Sequence, residues 1–103
     1  MIEELVCAYV FERLDDLAAY YEALDDPWAR RRSHAITTLA KQYQRTGIKA
    51  LVDFQRQRQH DLRAALRGTT GLYAGPHDSA THARHLQSLF REGRFISGLI
   101  GLA

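Results

Sequence analysis

The chain has 103 residues, 46% of them hydrophobic and 25% charged, with a net charge of +2 at neutral pH. That length makes one domain with a thin core, and the ordinary composition excludes a disordered or fibrous chain. The single cysteine, Cys7, excludes an internal disulfide and a cysteine-built zinc site.

Two glutamates precede the first apolar run, in MIEELVCAYVFER. A secretory leader needs a basic start, so none is expected here. The apolar runs are too short to span a bilayer, and the expected location is the cytoplasm, with no membrane contact. The small net charge hides an asymmetry. Residues 1–26 hold eight acids against one base, net −7, and residues 27–67 hold ten bases against two acids, net +8. An acidic segment is followed by a basic one.

Residues 2–24 predict a first helix. Cys7, Val10, Leu14, Leu17, Tyr21 and Leu24 recur at alternating spacings of three and four, a heptad-like seam. Leu5 to Phe11 is apolar without a break, so the first turns are apolar on every side. A short domain has little material to cover such a helix. The expectation is a homodimer with Val6, Val10, Leu14 and Leu17 at its interface. The competing reading is a core helix in a monomer. Cys7, in that apolar run, reads as a small core residue.

Asp26 is a good N-cap and Pro27 suits the first position of a second helix. That helix should run to about Thr46 and stop at Gly47. Trp28, Ala35, Ile36, Leu39, Ala40 and Tyr43 form its apolar side. Arg31, His34, Thr38, Lys41 and Arg45 form the opposite one. The third helix, Ile48 to Gly68, carries Lys49, Asp53, Arg56, His60, Arg63 and Arg67 on one face. From Gln55 to His60 it has no apolar residue, so its middle must meet water or a polar partner.

Gly68 to His77 is the long loop. A fourth helix should span about Ser79 to Glu92, with Ala83, Leu86, Leu89 and Phe90 on its apolar side, and end or bend at Gly93. The tail RFISGLIGLA is expected to close the core, as a short helix or an extended segment. The fold class is therefore all-α, a small bundle of about four helices.

The basic stripes of helices two and three carry the functional expectation. Arginines fork onto phosphates, and Gln42, Gln44, Gln55, Gln57 and Gln59 lie among them. The expected function is non-enzymatic: a binding or regulatory protein that docks on nucleic acid or a nucleoprotein complex. Arg31, Lys41, Arg45, Lys49, Arg56, Arg63 and Arg67 are the candidate contacts. The alternative is a protein-only adaptor or inhibitor, acting through acidic helix one or the apolar tail. A solvated basic face, neutralised by helix one, competes with both. A helix-turn-helix across Ile36 to Phe54 is a weak match, because Ala40 to Gly47 is too long for its turn.

His77, His82 and His85 cluster with Asp78, but no fourth ligand is implied. No metal and no cofactor are expected, and these histidines read as surface groups. The Gly68 to Gly75 loop lacks the Lys-Ser/Thr ending of a P-loop. Asp15-Asp16 and Asp25-Asp26 are adjacent pairs and cannot face each other across a substrate. No nucleophile stands at an informative spacing from a base, so an enzyme is not expected.

Overall fold

A computed structural model describes residues 2–24, 26–67 and 79–102, with the backbone alone at 2, 64–67 and 79–82. Four helices follow in order: α1 (Ile2–Ala23), α2 (Pro27–Thr46), α3 (Ile48–Arg67) and α4 (Ser79–Leu102). The protein is all-α, as its periodicity predicts. Among the described residues, no helix is long and apolar enough to cross a membrane.

Local chemistry sets the first two boundaries. Asp26 is extended at φ −134°, and its Oδ1 accepts the Ala29 N–H at 2.8 Å. That side chain satisfies one of the donors a helix start leaves open, and Pro27 needs none. Gly47 stands at φ 67°, ψ −142°, and its N–H reaches the Tyr43 carbonyl at 2.8 Å. A side chain at that φ would be strained, so glycine is what lets α2 stop and α3 start within one residue.

The helices run up and down. Ser33 Oγ donates to the Ala18 carbonyl at 3.0 Å near one end of the α1/α2 pair. Phe11 packs edge-on against Tyr43 near the other, with ring centroids 5.3 Å apart. α3 runs back alongside α2, and one groove is lined from Ala35 to Thr46 on α2 and from Lys49 to Phe54 on α3. This folded-back pair is a hairpin, not the open crossing of a helix-turn-helix. α4 returns along α3 and closes on α1, which leaves α1 and α3 diagonally opposite. The bundle measures 49 × 25 × 19 Å.

Val10, Leu14, Leu17 and Tyr21 of α1 meet Trp28, Ile36, Leu39 and Tyr43 of α2 in the core. Leu51, Leu89, Ile96 and Leu99 complete it. Full burial of such a side chain contributes about 1.5–3 kcal/mol.

Three expectations need correction. Val10, Leu14 and Leu17 are covered by the chain's own helices and offer no surface to a second copy, and Val6 is half-buried. The bundle has enough material to cover the middle of α1. The apolar surplus lies nearer its start, where Leu5 is 70% exposed and Tyr9 47%. Cys7 is exposed there rather than buried in the core. Finally, α4 does not end at Glu92. It continues through Gly93, Gly98 and Gly101 to Leu102, and Ile96 and Leu99 close the core from within it.

Candidate nucleic-acid interface

The second and third helices place their bases as their spacing demands. Arg31, Lys41 and Arg45 are exposed on α2, and Lys49, Arg56 and Arg63 on α3. The side chain of Arg67 lies outside the described residues. Lys49 Nζ holds Asp53 Oδ2 at 2.8 Å, an exposed i,i+4 pair that contributes little to stability. Between the two stripes runs the α2/α3 groove, about 470 Å³, with Thr38, Gln42, Lys49 and Asp53 at its polar edges and Leu39, Ala50 and Phe54 in its floor. Among the acids of α1, Asp16 meets Arg13 of its own helix at 3.1 Å and Glu22 meets Ser33 Oγ at 3.1 Å. The diagonal position of α1 separates the acidic helix from the α3 stripe.

Not every arginine of these helices faces water. Arg32 and Arg58 turn inward and are less than 10% exposed. Arg32 bonds to Glu92 of α4, which is fully enclosed, and Arg58 stands near enough to feel its charge. Arg32 forks onto this carboxylate, with Nε 3.3 Å from Oε1 and Nη2 bonded to Oε2. Tyr21 Oη lies 2.9 Å from Oε1 and 3.2 Å from the Ser88 carbonyl, so its one proton serves either. Arg58 donates from Nη1 to the Leu89 carbonyl at 3.0 Å and from Nε to Gln55 Oε1 at 2.9 Å. Gln55 in turn donates to the Gly93 carbonyl at 2.9 Å and to Ser97 Oγ at 2.7 Å. The polar middle of α3 thus faces a polar partner, the backbone and Ser97 of α4.

The cluster holds two guanidinium cations and one carboxylate, and its electrostatics follow. Burial draws the Arg32 pKa down, but the charge and hydrogen bonds of Glu92 outweigh it, and the net shift is upward. For Arg58, burial dominates, the Arg32 cation adds to it against the pull of Glu92, and the pKa falls below the usual arginine value. Burial, and then the Glu92 charge, push the Tyr21 phenol well above its ordinary range. All three groups are tied to α4, Arg32 and Tyr21 through Glu92 and Arg58 through the Leu89 carbonyl.

The sequence carried a signal for these inward groups. Arg32 stands four residues after Trp28 and four before Ile36, in the core row of α2. Glu92 stands three after Leu89 and four before Ile96, in the core row of α4. A charged residue inside an apolar row is a candidate for a buried pair.

Of the histidine group, His77, Asp78 and the side chain of His82 lie outside the described residues, as does the Gly68 to Gly75 loop. His85 is no surface group. It is 4% exposed and stacks on Trp28 with ring centroids 4.0 Å apart, with Nε2 3.6 Å from Asp26 Oδ2. A second groove, about 550 Å³, lies between α3 and α4, where Arg63 and Arg94 flank the half-exposed Phe90. Set beside known proteins, the chain matches no family model, no curated protein and no solved structure.

Proposed function

We propose that the protein binds nucleic acid, or a nucleoprotein complex, through the outer face of α2 and α3. One observation carries this reading: Arg31, Lys41, Arg45, Lys49, Arg56 and Arg63 are all exposed on two adjacent helices, while the acidic helix α1 lies diagonally across from α3. Arginine forks match phosphate oxygens, and such contacts position a protein on a backbone without reading its sequence. The affinity is therefore electrostatic and tolerant of sequence.

Each phosphate neutralised releases condensed counterions. Six contacts on duplex DNA give a log–log salt slope of about −5. Reversing Lys41 and Arg63 to Glu should weaken binding to all sequences alike and flatten that slope by about 2. The melting temperature should hold, because both side chains are exposed. Fluorescence anisotropy on labelled DNA and RNA across a salt series reads both quantities. Wild-type protein that binds neither at low salt would end this reading in favour of a protein partner.

A further inference from the structure

The C-terminal quarter of α4 is flanked on both sides by exposed apolar groups at matching heights. On the α1 side, Arg13 lies over the Phe95 ring at 5.0 Å. Tyr9 and Leu5 sit one and two turns back along that row, toward the N-terminus. On the α3 side, Gln55 reaches the Gly93 carbonyl and Ser97. Val52 and Ile48 precede it on the same row. Arg13 and Gln55 therefore stand level across α4, and so do Tyr9 with Val52 and Leu5 with Ile48. All four apolar side chains are at least 36% exposed.

Between the two flanks α4 presents Gly98 and Gly101. A Cβ built on either would meet nothing within 4 Å. An exposed apolar flank thus runs along each side of an α4 surface that carries no side chain at these two positions. Such a shape admits another helix at close approach.

Charge selects the occupant. Beyond Tyr9 the α1 flank continues with Glu12 and Asp16, both exposed, against the single base Arg13, which pairs Asp16 at 3.1 Å. Beyond Val52 the α3 flank continues with Arg56, also exposed. The α1 rim is net acidic, two acids against one base, and the α3 rim is basic. A second copy turned about a two-fold axis parallel to the helices brings α4 against α4 and each acidic rim against a basic one. The same move sets Leu5 against Ile48 and Tyr9 against Val52. A two-fold axis across the helices instead opposes acid to acid, which is repulsive. We propose that this α1/α4/α3 face is the interface of a parallel homodimer, closed by exchange of acidic and basic rims.

The test is charge-swap complementation, read by light scattering in the absence of nucleic acid. Wild-type protein should show twice the chain mass of 11.8 kDa. One variant carries Glu12→Arg and Asp16→Arg, and a second carries Arg56→Glu. Each alone should lose the dimer, because each opposes like charges twice. Mixed, the two should recover a one-to-one dimer, because both rims are again opposite in sign. Circular dichroism before mixing shows that each variant remains helical, as exposed substitutions allow. Val52→Glu should abolish the dimer and resist rescue by either variant. A monomeric wild type would overturn the interface, as would variants that stay dimeric alone or a mixture that stays monomeric.

Discussion

Glu92 is the side chain on which the bundle's interior charge depends. Two cations, Arg32 and Arg58, share this one enclosed anion. Glu92→Met leaves both cations unopposed and should cost about 3–5 kcal/mol. Arg32→Met instead leaves one anion with one cation, and Tyr21 still donates to it. It should cost distinctly less, although it removes two hydrogen bonds. Urea denaturation of the two variants gives the ranking, and an equal or reversed order would show that Arg58 does not share the carboxylate. Tyr21 adds a pH dependence. Its phenol is held above the ordinary value of 10.0 by burial and the neighbouring carboxylate, so the fold favours the neutral form. The resulting stabilisation is complete below that ordinary pKa and is lost as pH rises past it. Tyr43, pushed up to about 12 by burial and its bond to Cys7, acts in the same sense. The melting temperature should fall above about pH 10, and Tyr21→Phe should make that fall shallower. At this scale the exposed arginines were legible in the sequence and the inward ones were overlooked. Arg31 and Arg32 are neighbours of one type. What turns one of them inward is a carboxylate sixty positions along the chain, a partner that helical spacing does not name.

At the scale of elements, glycine divides the legible from the illegible. Gly47 ends α2 because its φ of 67° suits no side chain well. Gly47→Ala should cost about 1 kcal/mol, read from the thermal midpoint. Gly93, from its residue type alone, predicts an end or a bend, yet α4 continues through it to Leu102. The reason there is space rather than backbone. A Cβ on Gly93 would come within 2.5 Å of the Arg58 guanidinium, which is anchored to the Leu89 carbonyl. Gly93→Ala should therefore displace Arg58 and destabilise the bundle. Gly98→Ala, with open space around the new methyl, should gain about 0.5–1 kcal/mol from helix propensity. If both substitutions stabilise equally, Arg58 does not fill the space beside Gly93. Caps and stops are local chemistry, which explains why Asp26, Pro27 and Gly47 marked their boundaries correctly. A helical glycine kept for a neighbour's side chain is a tertiary fact, and it hides the length of α4 from a sequence reader.

At the scale of the whole molecule, the unequal charge of the two segments becomes a geometry. The acidic helix and the basic stripe of α3 occupy opposite corners of one bundle, so their fields do not cancel at contact distance. On the two proposals it meets a polyanion through α2 and α3 and a copy of itself through the α1/α4/α3 face, with Arg56 at the edge they share, and salt separates the two. Phosphate contacts at exposed arginines weaken along the whole salt range, because counterion release drives them. The two-fold face has charged rims around Leu5, Tyr9, Val52 and Ile48, and burial of apolar groups does not depend on screening. The screening length shortens from about 10 Å at 0.1 M salt to about 3 Å at 1 M. Over that interval the rims should lose most of their attraction while the apolar contacts persist. Nucleic-acid affinity should then fall by orders of magnitude while the dimer dissociation constant rises only several-fold. Anisotropy and sedimentation equilibrium on one salt series give both curves. A dimer that dissociates as steeply as the nucleic-acid complex would show that its rims, and not its apolar contacts, hold the two copies together.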